Sequence, residues 1–300
     1  MRISYLLLIG ATLATAAAPV PAAAQYPVAL RDSLTRLVAA SGGNAGIAFL
    51  DLGTGDSLYL DAGRRYHAAS TMKVPVLIEL ARRVDAGELA WDDSLPVVNE
   101  FRSIYDGSRF SVDPAEDSDS LVYGLIGRAA PVRLLAERMI EWSSNLATNI
   151  LIERLDARRV DATAHALGAD SISVLRGVED LKAYEHGMSN TTTARDLAQV
   201  LAAIATGRAA SPAGTAEMLR ILTDQGFNDG IPAGLPRGTR VAHKTGAITR
   251  ISHDAAIIYP PGRAPFVLVV LTQGFDDPAD ASRLQGQVAA AVWKTVNGER

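Results

Sequence analysis

Strand-like segments lie near both ends of this chain of 300 residues, and helix-like segments fill the long stretch between them. Near the start, residues 45–52 and Ser57–Leu60 flank a glycine-rich turn, which predicts a β-hairpin. In the last third, apolar runs predict three more strands, at residues 239–245, 255–259 and 265–272. This pattern predicts an α/β (α+β) fold, in which both ends of the chain build one sheet and the middle forms an inserted helical lobe.

Apolar residues recur at helical spacing through most of the remaining chain. Helices are predicted at residues 28–40, 70–86, 131–142, 145–155, 197–204 and 278–297. Residues 87–130 are irregular and polar, and they contain the acidic residues Asp113, Glu116, Asp117 and Asp119. Their spacing fits no ordered metal-binding loop, so we interpret this cluster as a solvated surface loop.

The first 24 residues are typical of a secretory signal peptide. Arg2 supplies a positive start, residues 5–13 are apolar, and three alanines at 22–24 form a small-residue cleavage site. An uncleaved anchor is the less favoured alternative, because the apolar run is short and Pro19 and Pro21 come soon after it. We therefore expect an exported protein, periplasmic or secreted.

The composition excludes several classes of function. The chain has no cysteine, which excludes disulfides, thiol catalysis and cysteine-ligated metal. Its net charge is −4, with no basic patch of the kind that binds nucleic acid. The five histidines show no metal-ligand spacing. We expect no metal, no cofactor, no nucleic-acid partner and no stable membrane anchor, and a monomer that acts on a small molecule.

Lysine is rare, which makes the position of each lysine informative. Of the 29 basic residues, four are lysine and the other 25 are arginine. The four are Lys73, Lys182, Lys244 and Lys294. Arginine cannot be deprotonated in a protein, whereas a buried lysine can lose its proton and act as a base. Lys73 and Lys244 each lie in a short motif that also contains a hydroxyl residue.

Ser70 and Lys73 form the first motif. If Ser70 opens a helix, both side chains lie on one face, and the helix N-terminus favours an alkoxide on Ser70. Pro75 fits the first turn of such a helix. Burial and the charge of Lys244 would lower the pKa of Lys73, as a base requires. An ordinary helix start is the alternative for this motif taken alone.

The second motif is Ser-Ser-Asn at residues 143–145, between two predicted helices. The Ser143 hydroxyl can relay a proton to a departing amine, and the Asn145 amide can orient a substrate carbonyl. A plain helix cap is an equally good interpretation of these residue types.

The third motif, Lys244-Thr245-Gly246, falls at the end of a predicted strand. Lys244 and Thr245 can bind a carboxylate, and Gly246 would let a substrate approach the strand closely. A surface lysine before a turn is the alternative. We interpret the neighbouring His243 as a packed or hydrogen-bonded residue rather than a ligand.

The three motifs in this order are a signature of class A β-lactamases and penicillin-binding proteins, and the chain resembles that superfamily over its mature length. Asn149, the stretch 231–236 and the threonines at 191–193 also resemble class A. The resemblance implies an antiparallel sheet flanked by helices, with an all-helical inserted lobe. Its mature domain, 25–300, would divide into an α/β lobe (25–68 and 215–300) and a helical lobe (69–214).

The resemblance also implies the roles of the site residues. Ser70 would be the acylated nucleophile, Lys73 its proton acceptor, Ser143 the proton relay to the ring nitrogen and Asn145 the ligand of the acylamide. Lys244 and Thr245 would hold the substrate carboxylate, Gly246 would adjoin the substrate, and the backbone N–H groups of Ser70 and Ala247 would form the oxyanion hole. Either Arg250 or His253 could be a further substrate contact, and the sequence does not choose between them.

Two positions depart from the family pattern. Ser144 stands where the middle motif usually has aspartate. The class A omega loop reads Arg-x-Glu-x-x-Leu-Asn, and its glutamate activates the deacylating water, whereas residues 176–182 here read Arg-Gly-Val-Glu-Asp-Leu-Lys. Glu179 is thus one residue late, and Asn190 replaces the usual aspartate before the threonines. Glu179 is either the water-activating base or a solvated loop acid.

The resemblance implies a serine hydrolase that opens the β-lactam ring through an acyl-enzyme on Ser70, a reaction of antibiotic resistance and β-lactam catabolism. The alternatives are a D-alanyl-D-alanine peptidase or related amidase or esterase, and a slowly deacylating penicillin-binding sensor. All three would use the same acylation residues on a β-lactam or peptide-like substrate.

Overall fold

The computed structural model describes residues 28–298, and the predicted signal peptide lies outside them. In chain order the elements are α1 (Val28–Ala40), β1 (Asn44–Asp51), β2 (Ser57–Leu60), β3 (Tyr66–His67), α2 (Lys73–Asp85), β4 (Ser94–Pro96), β5 (Phe101–Arg102), β6 (Arg109–Phe110), β7 (Ala129–Pro131), α3 (Val132–Glu141), α4 (Asn145–Leu155), α5 (Ala157–Ala166), α6 (Leu181–Glu185), β8 (Thr191–Thr192), α7 (Ala194–Ala205), α8 (Pro212–Thr223), β9 (Arg240–Ile248), β10 (Ile251–Tyr259), β11 (Phe266–Gln273) and α9 (Pro278–Val296). Short 3₁₀ turns lie at Ala69–Met72, Tyr123–Leu125 and Ile231–Gly234.

The main sheet confirms the prediction from the sequence. Its strand order is β2-β1-β11-β10-β9, and every neighbouring pair is antiparallel. The last strand of the chain, β11, lies at its centre beside β1, where Ala48 pairs with Val269. A central strand is covered on both faces, which explains why β11 is a continuous apolar run rather than an alternating one.

The two faces of the sheet bury two separate cores. Successive residues of a strand point to opposite faces, so Val269 and Val270 of β11 enter different cores. Helices α1 and α9 cover one face, where Leu34 and Val288 pack. The inserted lobe covers the other, with the buried helix α2 at its centre, and Leu77 is fully buried there. The Ser70 and Lys244 motifs meet where this lobe contacts the sheet, since Gly246 of β9 lies against the 3₁₀ turn of Ser70.

The inserted lobe is not all helical, which corrects the expectation from the resemblance. Two two-stranded ribbons lie within it, β4 with β7 and β5 with β6, and a third ribbon pairs its β8 with β3. The polar segment 87–130 has too few apolar residues for a helix face, and the first two ribbons satisfy some of its backbone N–H and C=O groups. Within residues 28–298, no helix has both the length and the apolar character that a membrane span requires.

Candidate active site

Ser70 lies on the 3₁₀ turn that leads directly into α2, as the sequence predicted for a helix start. The preceding residue, Ala69, has a left-handed backbone (φ 45°), a conformation that costs an alanine about 1–2 kcal/mol. The hydrogen bonds that hold this turn include two that involve side chains: the Ala69 N–H donates to His67 Nδ1 (3.0 Å), and the Thr71 hydroxyl donates to Ala68 O (2.6 Å). Ser70 is thereby presented, half-buried, at the start of a rigid helix.

Lys73 is completely buried, and its ammonium group points toward the start of α4. Nζ donates hydrogen bonds to Asn145 Oδ1 (2.9 Å), to Ser143 Oγ (3.2 Å) and to Ser143 O (2.5 Å). Burial lowers the pKa of Lys73 to about 7, against the opposing charges of Asp117 and Glu179. A lysine with this pKa exists in both protonation states near neutral pH, so it can accept a proton.

Ser143 and Ser144 divide two roles that the sequence left as alternatives. Ser144 caps α4, with its Oγ accepting from Ala147 N. Ser143 precedes it with a left-handed backbone (φ 59°), and its hydroxyl lies between two lysines. Lys73 Nζ is 3.2 Å and Lys244 Nζ 3.1 Å from Ser143 Oγ. The motif is therefore both a helix cap and a bridge between the two buried amines.

Lys244 is the second fully buried amine of the cleft. Besides Ser143, its ammonium donates to Thr245 O at 2.9 Å. Burial, and then the nearby charge of Lys73, lowers the pKa of Lys244 well below the usual lysine value. Within the described residues its hydrogen bonds go only to neutral oxygens, so an anion in the cleft would complete its shell.

Gly246 is required by packing within the protein, a reason that the sequence did not indicate. A Cβ at this position would lie 2.9 Å from both Ser70 N and Thr71 N. Only glycine lets β9 pass so close to the nucleophile turn. The next residue, Ala247, lines the same pocket as Ser70, so the two residues expected to form the oxyanion hole border one cleft.

Glu179 lies inside the cleft, although it is one residue late for the family pattern. Its Oε1 accepts from Asn145 Nδ2 at 2.7 Å, and its Oε2 accepts from Asp113 N at 2.8 Å. Burial is the main cause that raises the pKa of Glu179 above its usual value. The backbone turns through a left-handed conformation at this residue (φ 62°). This position is inconsistent with a solvated loop acid, and Asn145 joins Glu179 to Lys73 through one amide.

Asn149 holds the omega loop (residues 176–190) against α4. Its side-chain amide accepts from Val178 N (2.7 Å) and donates to Val178 O (3.0 Å). A Cβ on Gly177 would lie 2.3 Å from Asn149 Oδ1, so only glycine permits this contact. Both backbone polar groups of Val178, the residue before Glu179, are therefore hydrogen-bonded to Asn149.

Asn190 joins the two ends of the omega loop, which we call its neck, through hydrogen bonds from an uncharged side chain. Its Oδ1 accepts from Leu175 N (2.8 Å) and Arg176 N (3.2 Å), and its Nδ2 donates to Arg176 O (2.9 Å). The Arg176 guanidinium turns instead to the carbonyls of Met188 and Gly177, each at 2.9 Å. Asparagine in place of the usual aspartate therefore still closes the neck, because its side-chain amide bonds to the backbone.

Asp117 is the site residue that sequence reasoning missed. The interpretation of its segment as a solvated loop holds for the exposed Asp113 and Glu116 but is wrong for Asp117 and Asp119. Its Oδ2 accepts from the backbone N–H of Asn145 (2.8 Å) and Leu146 (3.0 Å) and from Tyr123 OH (3.0 Å). The neighbouring Asp119 is 1% exposed and pairs with Arg138. A carboxylate at a helix N-terminus meets unpaired N–H groups there. The partner helix is 28 residues away, so no local pattern signals the contact.

The remaining candidates lie outside the cleft. His243 is buried and hydrogen-bonded to Asp254 at 2.9 Å, as the sequence indicated. His253 is 1% exposed and its Nε2 bonds to His67 O (2.9 Å), which removes it as a substrate contact. Arg250 lies at the turn between β9 and β10, where it pairs with the exposed Asp276 (3.3 Å).

The residues around Ser70 enclose a pocket of about 380 Å³. Asn145 and Glu179 form its polar wall, and Leu181 and Ile248 form part of its apolar wall. Residues 28–298 contain no group of three acidic, histidine or cysteine side chains that would hold a metal ion. The arrangement can therefore carry out acyl transfer: a hydroxyl nucleophile, a buried amine, and a carboxylate that can activate water.

Comparisons with known proteins point to one family. A model of the β-lactamase enzyme family matches residues 29–296. A β-lactamase from Amycolatopsis lactamdurans is 28% identical over 261 residues, covering 85% of this chain and 81% of that protein. The solved structure of PBP-A has a TM-score of 0.80 at 27% identity, covering 93% of this chain and 100% of that one.

Two further solved structures are similar to this chain. A mutant of PBP-A in an acyl-enzyme complex with penicillin G has a TM-score of 0.79 at 27% identity, covering 93% of this chain and 100% of that one. An ancestral class A β-lactamase has a TM-score of 0.77 at 27% identity, covering 88% of this chain and 99% of that one.

Proposed function

This chain belongs to the β-lactamase enzyme family, and we propose that it hydrolyses β-lactams as a class A serine enzyme through an acyl-enzyme on Ser70. One observation carries the proposal. A hydrogen-bonded path runs from Lys73 through Asn145 to Glu179 beside the nucleophile turn. It places an amine suited to acylation and a carboxylate suited to deacylation on the two ends of one amide.

Acylation uses the two buried lysines. Neutral Lys73 takes the proton of Ser70 Oγ as that oxygen attacks the lactam carbonyl carbon, and the Ser70 and Ala247 N–H groups receive the charge on the carbonyl oxygen. The C–N bond then breaks. The ring nitrogen takes a proton from the Ser143 hydroxyl, which is replaced from an adjacent lysine.

Substrate binding favours the charged form of Lys244. Burial and the charge of Lys73 lower the pKa of Lys244. A substrate carboxylate placed against Lys244 and Thr245 acts in the opposite direction and favours the ammonium form. This ammonium, which donates to Ser143 Oγ at 3.1 Å, then pairs with the negative charge of the substrate.

Deacylation uses Glu179. The carboxylate takes a proton from a water molecule while the water oxygen attacks the ester carbon, and Ser70 Oγ leaves and regains a proton. The raised pKa of Glu179 makes it a better proton acceptor than an ordinary surface carboxylate. Asn145 and the Asp113 N–H hold both oxygens, which fixes the direction of the carboxylate.

The rival activities are not favoured. A slowly deacylating sensor has no need of a half-buried carboxylate joined to the acylation residues. A D-alanyl-D-alanine peptidase or related esterase shares the acylation step, and the family similarity favours the β-lactam as substrate. We also propose export to the periplasm or medium, on the signal-like residues 1–24, together with a monomeric state and a role in β-lactam resistance or catabolism.

A chromogenic cephalosporin with parallel intact-mass analysis tests the proposal. The parent should turn over the dye, and Ser70→Ala should show neither colour nor a covalent adduct. Glu179→Gln should accumulate the adduct, because loss of the base slows deacylation by roughly 10²–10⁴-fold. The matched control is Glu185→Gln on the exposed end of α6. An adduct on Ser70→Ala, or no turnover by the folded parent, refutes the function.

A further inference from the structure

We propose that the tip of the β5–β6 hairpin (residues 103–108) is a clamp that holds α6 and thereby positions Glu179 for deacylation. Lys182 and Tyr105 are the positioning residues of this clamp. The inference rests on the proposed function, because it assumes that Glu179 activates water. It adds a part of the molecule that touches neither Ser70 nor the substrate pocket.

Three polar contacts join the clamp to α6. The Ile104 N–H donates to Asp180 Oδ2 at 2.9 Å. Lys182 Nζ donates to Asp106 Oδ2 (2.9 Å) and to Ser108 Oγ (2.8 Å). Asp180 is also the residue that caps α6 and directly follows Glu179. The clamp therefore grips the chain one and three residues after the proposed base.

An aromatic contact extends the clamp to the far end of α6. The Tyr105 ring stacks on the His186 ring with centroids 3.6 Å apart and planes inclined by 19°. Tyr105 remains 49% exposed, so the stack covers one face of an otherwise solvated ring. Stacking of this kind contributes about 0.5–1.5 kcal/mol beyond area burial. The short helix is thus held at both ends by one hairpin tip.

The omega loop borders an open groove on the side that faces the hairpin. The groove has a volume of about 450 Å³ and is lined by residues that include Phe101 and Phe110 of the hairpin, Ile152 of α4, and Gly177 of the loop. Close-packed side chains normally fix the position of a segment. Along this groove, individual tethers take over part of that role.

Those tethers divide the loop into two halves. Asn149 and Asn190 hold residues 175–178. Beyond Glu179, the tethers to the rest of the described chain include the clamp and an edge contact between His67 and Tyr184, with centroids 5.9 Å apart. Glu179 itself accepts a hydrogen bond from the backbone N–H of Asp113, a residue that follows the hairpin in sequence. Loosening the clamp therefore loosens the chain that directly follows Glu179.

The consequence is a selective kinetic effect. Ser70 and Lys73 are carried by the nucleophile turn and α2, which the clamp does not touch. Glu179 is carried by the loop, and a displacement of about 1 Å can cost roughly 100-fold in a positioned reaction. Weakening the clamp should slow deacylation and leave acylation unchanged.

The test measures the two rate constants separately with penicillin G, by stopped-flow acylation and time-resolved intact mass. Lys182→Met keeps the length of the side chain and removes its charge. We expect deacylation to slow by about 3- to 30-fold, with acylation within about twofold of the parent. Lys182→Arg should restore deacylation, because it can still bond Asp106. Tyr105→Ala should slow the same step, whereas Tyr105→Phe should not.

The matched control is Arg109→Met, which breaks an exposed ion pair to Glu100 (2.9 Å) on the same hairpin but away from the omega loop. It should change neither step. Equal slowing of both steps by Lys182→Met, or equal slowing by Arg109→Met, overturns the clamp. Unchanged deacylation in Lys182→Met, while Glu179→Gln still accumulates adduct, overturns the clamp alone. If Glu179→Gln has no effect either, the proposed base is wrong.

Discussion

The acylation rate should rise with pH through about 7, because the base in this step is the neutral form of Lys73. Burial lowers its pKa to about 7. The fraction of neutral amine is then about one-tenth at pH 6, about one-half at pH 7 and about nine-tenths at pH 8. The rate rises rather than falls with pH because Lys73 can accept the Ser70 proton only after it has lost its own. A lysine with an ordinary pKa would be almost entirely protonated across this range.

Single-turnover measurements on the parent, with enzyme in excess over substrate, isolate this step, because the colour forms when the lactam ring opens on acylation. The parent is used because the Glu179 charge contributes to the pKa of Lys73. Stopped-flow absorbance with a chromogenic cephalosporin between pH 6 and pH 8 should show an increase of about tenfold. Circular dichroism at both pH values checks that the fold is intact. An acylation rate that does not vary with pH, or that falls, would show that Lys73 is not the proton acceptor.

A charge variant tests the cause of the pKa. The Asp117 carboxylate raises the pKa of Lys73, so Asp117→Asn should move the midpoint of the acylation profile to lower pH. Asparagine keeps an oxygen that can accept from the backbone N–H groups of Asn145 and Leu146 at the start of α4, which limits structural damage. Asp92→Asn is the control, because Asp92 is 91% exposed and has no part in the pKa of Lys73. Identical midpoints in all three proteins would contradict the electrostatic argument.

Three further outcomes are expected. Lys244→Ala should weaken acylation by anionic substrates by about 1.5–3 kcal/mol and by neutral esters less, as second-order rate constants would show. Gly177→Ala should destabilise the fold by roughly 1–3 kcal/mol in urea titrations, since its Cβ would lie 2.3 Å from Asn149 Oδ1 and break two hydrogen bonds. The buried His253 has its pKa lowered from 6.5 to about 4, so the unfolded chain takes up the proton first as pH falls. About 3 kcal/mol of stability should be lost between pH 6.5 and pH 4, and His253→Gln should lose less over that interval.

The elements built from local signals were predictable from the sequence. Helix α1 (Val28–Ala40), strand β2 (Ser57–Leu60) and helix α4 (Asn145–Leu155) end where the apolar spacing and turn residues indicated. The motif residues Ser70, Lys73 and Lys244 were identified by type and order. Each of these inferences needed only neighbours in the chain, where spacing determines which side chains share a face.

The parts that sequence reasoning missed depend on contacts between distant segments. The ribbons β4–β7 and β5–β6 form in a stretch with no apolar period, because backbone pairing rather than side-chain burial holds them. Asp117 looks like any loop acid until α4 is placed beside it. Glu179 is one residue out of register, and only its left-handed φ of 62° shows how the side chain still enters the cleft.

Because Asn190 is uncharged, the hydrogen bonds that close the neck of the omega loop should depend little on pH and salt concentration. A carboxylate in the position of Asn190 would titrate at low pH, and an exposed ion pair would weaken as salt rises. The amide of Asn190 does neither, since its bonds to Leu175 and Arg176 involve only backbone groups. The hydrogen bonds by which Asn190 joins the two ends of this loop therefore do not depend on the ionisation of a side chain. Between the clamp and the loop, the exposed ion pair of Lys182 with Asp106 is the contact that responds to salt.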